Sequence, residues 1–424
     1  MRTLRTAAGF PFAVRLLLIN QLGVNTGFYL LIPHLATHLA DDLGMSAALV
    51  GVVLGVRNLS QQGLFVLGGS AADRLGARGV IIAGCALRTV GFGLFALGDG
   101  LALLIAASVL SGLAGALFNP AVRTYIARES GERKAEAFAL FNVFATTGAL
   151  LGPLLGSVLL LVDFRAAALT AAAIFALLTV AQALVLPARA VPARTTTVLG
   201  DWREVLANRA FVAFSIALAG LYGLETQLYL LLPDGARHAT GSRATVGLLF
   251  LVGTAANVLL QLRITRLLKD RGSRGRWIAG GTAVMGLAFV PPMLVAGGGA
   301  PHGTADAALR LLPVLVGALL LNLGVMIAQP FVLELIPAFG RADLTGTHFG
   351  LFYLVSGVAA AAGNAGIGWA MDTAERTGLA WLPWAGCLAL GLISAAAVGR
   401  LQRARALPDP STTKVDSPTG ANSR

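Results

Sequence analysis

Charge is scarce in this sequence. Only 12% of its 424 residues are Asp, Glu, Lys or Arg, where soluble domains carry about 25%. So few charges cannot cover the surface of a water-soluble protein of this size. Lysine occurs only at Lys134, Lys269 and Lys414. The two cysteines, Cys85 and Cys387, sit alone in apolar runs and imply neither a disulfide framework nor a zinc site. Short alternating segments are missing, which excludes a membrane β-barrel. No phosphate-binding Gly-x-x-x-x-Gly-Lys loop occurs, so the chain carries no ATP-driven pump. No nucleophile or paired-metal constellation lies in the apolar runs, so we expect neither an enzyme nor a cofactor. The net charge of +12 is spread over short loops, which argues against a nucleic-acid partner.

What remains is 56% hydrophobic and arranged in blocks of about 20 residues, the length that crosses a hydrocarbon core as a helix. Twelve spans are expected, roughly at 13–36, 47–69, 79–97, 100–120, 137–161, 164–186, 209–232, 245–267, 277–297, 309–331, 346–370 and 380–400. They group into an N-terminal six-helix bundle (1–186), a linker with a short amphipathic piece (187–208), a C-terminal six-helix bundle (209–401) and a polar tail (402–424) expected to be disordered. The first apolar run is broken by Asn20, Gln21 and Asn25 and lacks a small-residue cleavage site, unlike a cleaved signal peptide. With the N-terminus inside, 25 of the 32 basic residues fall in inside segments, five in outside loops, and Arg57 and Arg88 within spans. Arg123 and Arg128 are counted with the inside loops. The bias puts both termini in the cytoplasm.

The second half repeats the first. Tyr29-Leu30-Leu31-Ile32-Pro33 returns as Tyr229-Leu230-Leu231-Leu232-Pro233, and Asp73-Arg74 as Asp270-Arg271. Ile82-Ala83-Gly84 returns as Ile278-Ala279-Gly280, Asn119-Pro120 as Gln329-Pro330, and Leu140-Phe141 as Leu351-Phe352. A Gly-rich loop near 297–308 accounts for the longer offset of the later pairs. A duplicated six-helix unit is the sequence form of a transporter whose halves move about a midplane site.

Two motifs stand out. Between the second and third spans lies Gly69-Ser70-Ala71-Ala72-Asp73-Arg74-Leu75-Gly76-Ala77-Arg78. Gly69 and Gly76 allow close approach of helix ends. Asp73 needs an arginine or helix N-terminal amides if it is buried, and Arg74 and Arg78 are the nearest candidates. In the fifth span Gly148, Gly152 and Gly156 recur every four residues and form one groove, with Pro153 bending the helix. Such a groove is expected to pack on the eighth or eleventh span. Both stretches resemble signatures of the major facilitator superfamily, the second being its antiporter motif. With Arg57, Gln61-Gln62 and Arg88, the chain is most similar to a bacterial multidrug-efflux subgroup of the H type. The resemblance covers both halves. It implies an all-α membrane protein of twelve transmembrane helices in two six-helix pseudo-symmetric bundles. It also implies that Asp73 meets the start of the eleventh span, near Thr345 to His348, as a conformational latch. The sequence departs from many drug/proton antiporters by lacking an acid in the first span. It also has Ser108 where many carry an arginine in the fourth.

Charges inside spans each cost roughly 2.5–3.5 kcal/mol on insertion scales, so they point to function. They are Arg57, Arg88 and Glu225. Glu225 shares a helical face with Tyr222 and Tyr229. Arg57 shares one with Gln61, Gln21 and Asn25 share one with Tyr29, and Asn257 one with Gln261. Four polar stripes facing one centre imply a wet cavity, expected from spans 1, 2, 7 and 8 among others. Glu225, the one acid deep in a span, is the candidate proton carrier or the counter-charge of a cationic drug; pairing with Arg57 or Arg88 is the alternative. Glu334, near the end of the tenth span, is a second candidate acid. The expected partners are the bilayer, a small-molecule substrate and protons, with the monomer as functional unit. The reading is proton-coupled export of hydrophobic or cationic small molecules. Its rival is import of a small, anionic metabolite by proton symport on the same fold.

Overall fold

The structure is a computed structural model that describes residues 2–189, 196–242, 245–297 and 303–408. Parts of the expected linker (190–195, with Arg194), of the Gly-rich loop (298–302) and of the polar tail (409–424) lie outside the described residues, as does Arg243.

The first half contains α1 (Phe12–Thr37), α2 (Ala47–Gly63, continued by Phe65–Ala71), α3 (Ala77–Leu97), α4 (Leu101–Glu129), α5 (Lys134–Leu159) and α6 (Phe164–Val185). A linker helix, Val198–Ala207, follows. The second half contains α7 in three pieces (Arg209–Ala217, Ala219–Glu225 and Leu231–Thr240) and α8 (Thr245–Lys269). It continues with α9 (Arg274–Leu287, continued by Val290–Val295), α10 (Thr304–Leu335), α11 (Thr345–Thr377) and α12 (Leu382–Arg403). Eleven helical runs among the described residues are long and apolar enough to cross a membrane. The twelfth expected span is α2, whose first piece has 17 residues before the break at Leu64. Gly76, at φ 88°, turns the chain between α2 and α3 in a conformation that a Cβ would strain.

The pairing of helices repeats. In the first half α1 packs on α5, α2 and α3 on α4, and α3 on α6. In the second, α7 packs on α11, α8 and α9 on α10, and α9 on α12. The halves meet where α2 crosses α11 and α5 crosses α8, two contacts that exchange under the repeat. Outward leucines such as Leu161 and Leu184 are 85% and 80% exposed. In a lipid environment these side chains face acyl chains, so the apolar exterior is satisfied.

Small residues set the closest approaches. A Cβ on Gly148 would meet the Leu22 carbonyl and Asn25, and one on Gly152 would meet Tyr29 and Thr26. One on Gly156 would meet Leu30 and His34. The glycine groove of α5 therefore holds α1. The expectation of the eighth or eleventh span fails because a groove specifies close approach, not the partner. α5 does contact α8. The matching contact in the second half is Gly363 of α11 against Gly223 of α7.

Candidate functional site: a closed end and a central cavity

At one end of the molecule the halves are joined around Asp73. Its side chain is fully buried and reaches the first turn of α11. The amides of Gly346 and Thr347 donate to its carboxylate at 2.8 and 2.6 Å, and the Thr347 hydroxyl donates at 3.0 Å. The first turn of α11 has no acidic residue of its own, and its free amides favour a carboxylate. Gly69 and Gly346 touch backbone to backbone, and a Cβ on either would meet the other's carbonyl.

The arginine that pairs with Asp73 is not one of the loop pair. Arg128, at the end of α4, lies 3.0 Å from Asp73 and also donates to the Ala342 carbonyl at 3.2 Å. Arg74 instead pairs with Asp201 of the linker helix at 2.6 Å. Arg78 donates to the Ala183 and Leu186 carbonyls at the end of α6, both at 2.6 Å. Both side chains project sideways from the turn, toward the linker and α6, whereas Arg128 comes up beside it. Trp202 of the linker helix donates to Ser70 at 2.7 Å, and Glu204 lies 3.6 Å from Arg341 in the second half. The linker helix is thus strapped across the closed end.

Inside lies a polar cavity of about 350 Å³. Its wall includes Asn25 and Tyr29 of α1, Arg57 and Gln61 of α2, Arg88 of α3, Glu225 and Tyr229 of α7, and Asn257 of α8. The structure brings all these sequence candidates to one space. Asn25 accepts from Gln21 and donates to the Ala145 carbonyl, each at 2.8 Å. Gln61 accepts from Arg57 at 2.5 Å. Asn142 of α5 and Gln329 of α10 bridge the halves at 3.0 Å. Gln261 lies behind the wall, fully buried, and donates to the Met326 carbonyl. Tyr222 is absent from the wall. It packs edge-on against Phe352, 5.7 Å between centroids. Tyr222 and Glu225 keep their helical spacing within Ala219–Glu225, whereas α7 breaks after Glu225 and Tyr229 reaches the cavity from beyond the break. Asn364 of α11 holds that break by accepting from Thr226 and Gln227 at 2.7 and 3.0 Å.

The cavity also gathers α3, α4, α5 and α10. Its most consequential addition is Arg123. The end of the apolar run near 120 puts it in an inside loop, but α4 runs on to Glu129. Arg123 lines the cavity beside Glu225, stacked over Tyr353 at 4.7 Å and Phe141 at 5.1 Å. Glu225 forms no ion pair with Arg57 or Arg88. The signal that could have found Arg123 is its place one helical turn after Asn119, on the same helical face as that cavity residue. Glu334 is elsewhere. It is buried and paired with Arg274 at 3.1 Å, a structural neutralisation.

Arg57 and Arg88 share the ring of Phe28, their guanidinium carbons 4.5 and 5.9 Å from its centroid. Arg88 also faces Phe118 and Phe175 at 5.3 and 5.4 Å. No carboxylate lies within ion-pair distance of either among the described residues. A second space, about 590 Å³ and mainly apolar, adjoins the first and shares Tyr29, Tyr229 and Asn322 with it. It lies between α1, α5, α7 and α8, away from the closed end, with Ile32, Pro153, Leu154, Leu249 and Phe250 in its wall. No cluster of three or more metal-ligating side chains occurs among the described residues.

Twelve helices in two repeated halves, joined at one end around a central polar cavity, define a membrane transporter. The chain belongs to the Major Facilitator Superfamily, whose family model matches residues 17–364. An MFS-type transporter of Mycobacterium tuberculosis is 42% identical over 93% of this chain and 94% of its own. The multidrug resistance protein MdtH of Salmonella newport is 31% identical over 90% of this chain and 92% of its own. Among solved structures, the human organic anion transporter MFSD10 overlays with a TM-score of 0.70 at 19% identity, covering 92% of this chain and all of its own. A peptide transporter bound to alafosfalin gives 0.68 at 18% identity, over 95% of this chain and 99% of its own. At such identities these two speak for the fold.

Proposed function

We propose that this transporter exports hydrophobic small molecules in exchange for protons, by alternating access through the central cavity. The observation that carries the reading is Glu225: an acid in the cavity wall, beside Arg123, with the Asp73 end shut. A carboxyl with a cation close by can exchange a proton for a bound ligand as the site opens to either side. The multidrug resistance name of the Salmonella relative supports export. Placement in a bacterial inner membrane, both termini cytoplasmic and the monomer active, completes the reading, with Asp73, Arg74, Arg78 and their glycines as the cytoplasmic latch. The cationic cargo of the sequence reading is disfavoured by three arginines facing one acid.

The test is uptake of fluorescent hydrophobic compounds into everted vesicles. A pH gradient should drive accumulation, and Glu225→Gln should abolish the gradient-driven part while leaving the protein folded. Gradient-driven uptake that survives in Glu225→Gln rules out Glu225 as the carrier. A second reading, proton-coupled import of an anion, draws on Arg57 and Arg88. Uptake into right-side-out rather than everted vesicles would favour it.

A further inference from the structure

We propose that the cargo is an amphiphilic anion. Its carboxylate or similar acidic head sits between Arg57 and Arg88, and its apolar body fills the adjoining cleft along Leu154, Leu249 and Phe250. The proposal rests on the reading that this cavity is the transport site, and it names what the site takes.

Three observations meet here. The first is an uncompensated pair of charges. Arg57 satisfies part of its fork on Asn58 and Gln61 at 2.7 and 2.5 Å, but both partners are neutral. Arg88 donates no hydrogen bond among the described residues, and its Nε is buried without a partner. Both guanidinium groups stand on the Phe28 ring. Two cations that close in a nonpolar surround repel each other strongly, and each is expensive to bury alone. Aromatic faces offset part of this, yet the fork geometry of arginine is made for a planar acid. The second observation is that the cavity's acid does not compensate them. Glu225 lines the same space but forms no ion pair with Arg57 or Arg88 among the described residues. The third is continuity with the apolar cleft through Tyr29 and Tyr229. The two spaces, about 350 and 590 Å³, each fall in the range of about 300–1,000 Å³ typical of small-molecule sites. A charged head alone would leave the larger, drier part unused. A purely apolar molecule would leave the arginines bare.

The experiment uses a matched trio with one skeleton: 4-phenylbutyrate, 4-phenylbutanol and 4-phenylbutylamine. Binding to the purified full-length protein is measured by calorimetry at neutral pH. The acid should bind at least about tenfold tighter than the alcohol, as a charge-assisted pair would give, and the amine should bind weakest. Arg57→Gln and Arg88→Gln should each bring acid and alcohol to within about threefold, and Arg88→Lys should restore part of the preference. Phe250→Ala should weaken the acid and the alcohol by the same factor. Size-exclusion profiles that match the wild type show that the variants are folded. Equal binding of the three probes, tighter binding of the amine, or an acid preference that survives both Gln substitutions overturns the proposal. No proton gradient is present in this assay. Failure here with gradient-driven uptake intact sinks the anion and leaves proton-coupled export standing; the reverse pattern does the opposite.

Discussion

The two crossings between the halves are copies of one another by sequence, yet they are built with opposite chemistry. Where α2 meets α11, an acid from the turn crosses over and caps a helix that begins with no acid of its own. Where α8 meets α5, the helix already has Glu136 in its first turn, and what crosses over is a base. Arg266 lies 3.7 Å from Glu136 and donates to Thr6 at 2.7 Å. Asp270, the copy of Asp73, is exposed and forms no ion pair among the described residues. Both turns keep a glycine with positive φ, Gly76 at 88° and Gly272 at 82°. The turn survived the duplication; the contact did not. Burial separates the two energetically. The Asp73 side chain is fully buried, whereas Arg266 is 46% exposed. A desolvated carboxylate on two amides and an arginine is a strong lock, and a wet ion pair is a weak one.

Asp73→Asn should produce the largest effect. It removes the charge that the α11 amides and Arg128 share, a loss of about 1.5–3 kcal/mol for each charged hydrogen bond weakened, while Arg128, 35% exposed, is left to water. The closed end should open. Spin labels at Leu75→Cys and Asp270→Cys, one on each half, would report longer distances by pulsed electron resonance. An unchanged distribution would show that Asp73 does not hold this end. Gly69→Ala should act in the same direction but less strongly, by about 1–3 kcal/mol, since the new methyl must push the Gly346 carbonyl away. If that variant closes as well as the wild type, backbone contact between α2 and α11 is not what positions the carboxylate.

Much of this contrast is legible in the residues themselves. The Asp73 turn is local, and its glycines, acid and arginines stand within ten positions, so spacing alone marks it out. Glu225 is legible because an acid alone in an apolar run has few structural excuses. Arg123 is not, for the same reason in reverse. A span is recognised by unbroken apolarity, and cavity residues such as Asn119 and Arg123 end the apolar run before the helix ends. Charge counting then assigns such an arginine to a loop. The partner of Asp73 escaped because Arg128 is 55 residues away, and Arg74, its neighbour, is held by the linker. The broken register of α7 escaped because the polar group that stabilises the break, Asn364, belongs to another helix.

The linker helix offers an intermediate case. Trp202→Phe keeps the ring and removes one neutral hydrogen bond to Ser70, so it should loosen the strap by about 1 kcal/mol. Trypsin cleavage at Arg203 would read this directly. A several-fold faster cut is expected, well short of what Asp73→Asn should give. A rate equal to the wild type would place the hold of the linker on the Arg74–Asp201 and Arg341–Glu204 pairs.

Arg266→Gln should do least. Its ion pair is half in solvent, and exposed pairs contribute about 0–1 kcal/mol. What it does contribute is electrostatic, so it should vanish as salt rises. Thermal unfolding of Arg266→Gln and wild type at low ionic strength should differ by a degree or so at most. Near 1 M salt, where the screening length falls to about 3 Å, the curves should coincide. Asp73→Asn should keep its deficit under the same salt, because a buried carboxylate on backbone amides is beyond the reach of counterions. The comparison breaks if Arg266→Gln lengthens the spin-label distance as much as Asp73→Asn does. The α5–α8 crossing would then be a second lock of equal rank, and the contact that Asp270 no longer makes would have been replaced by the Arg266–Glu136 pair.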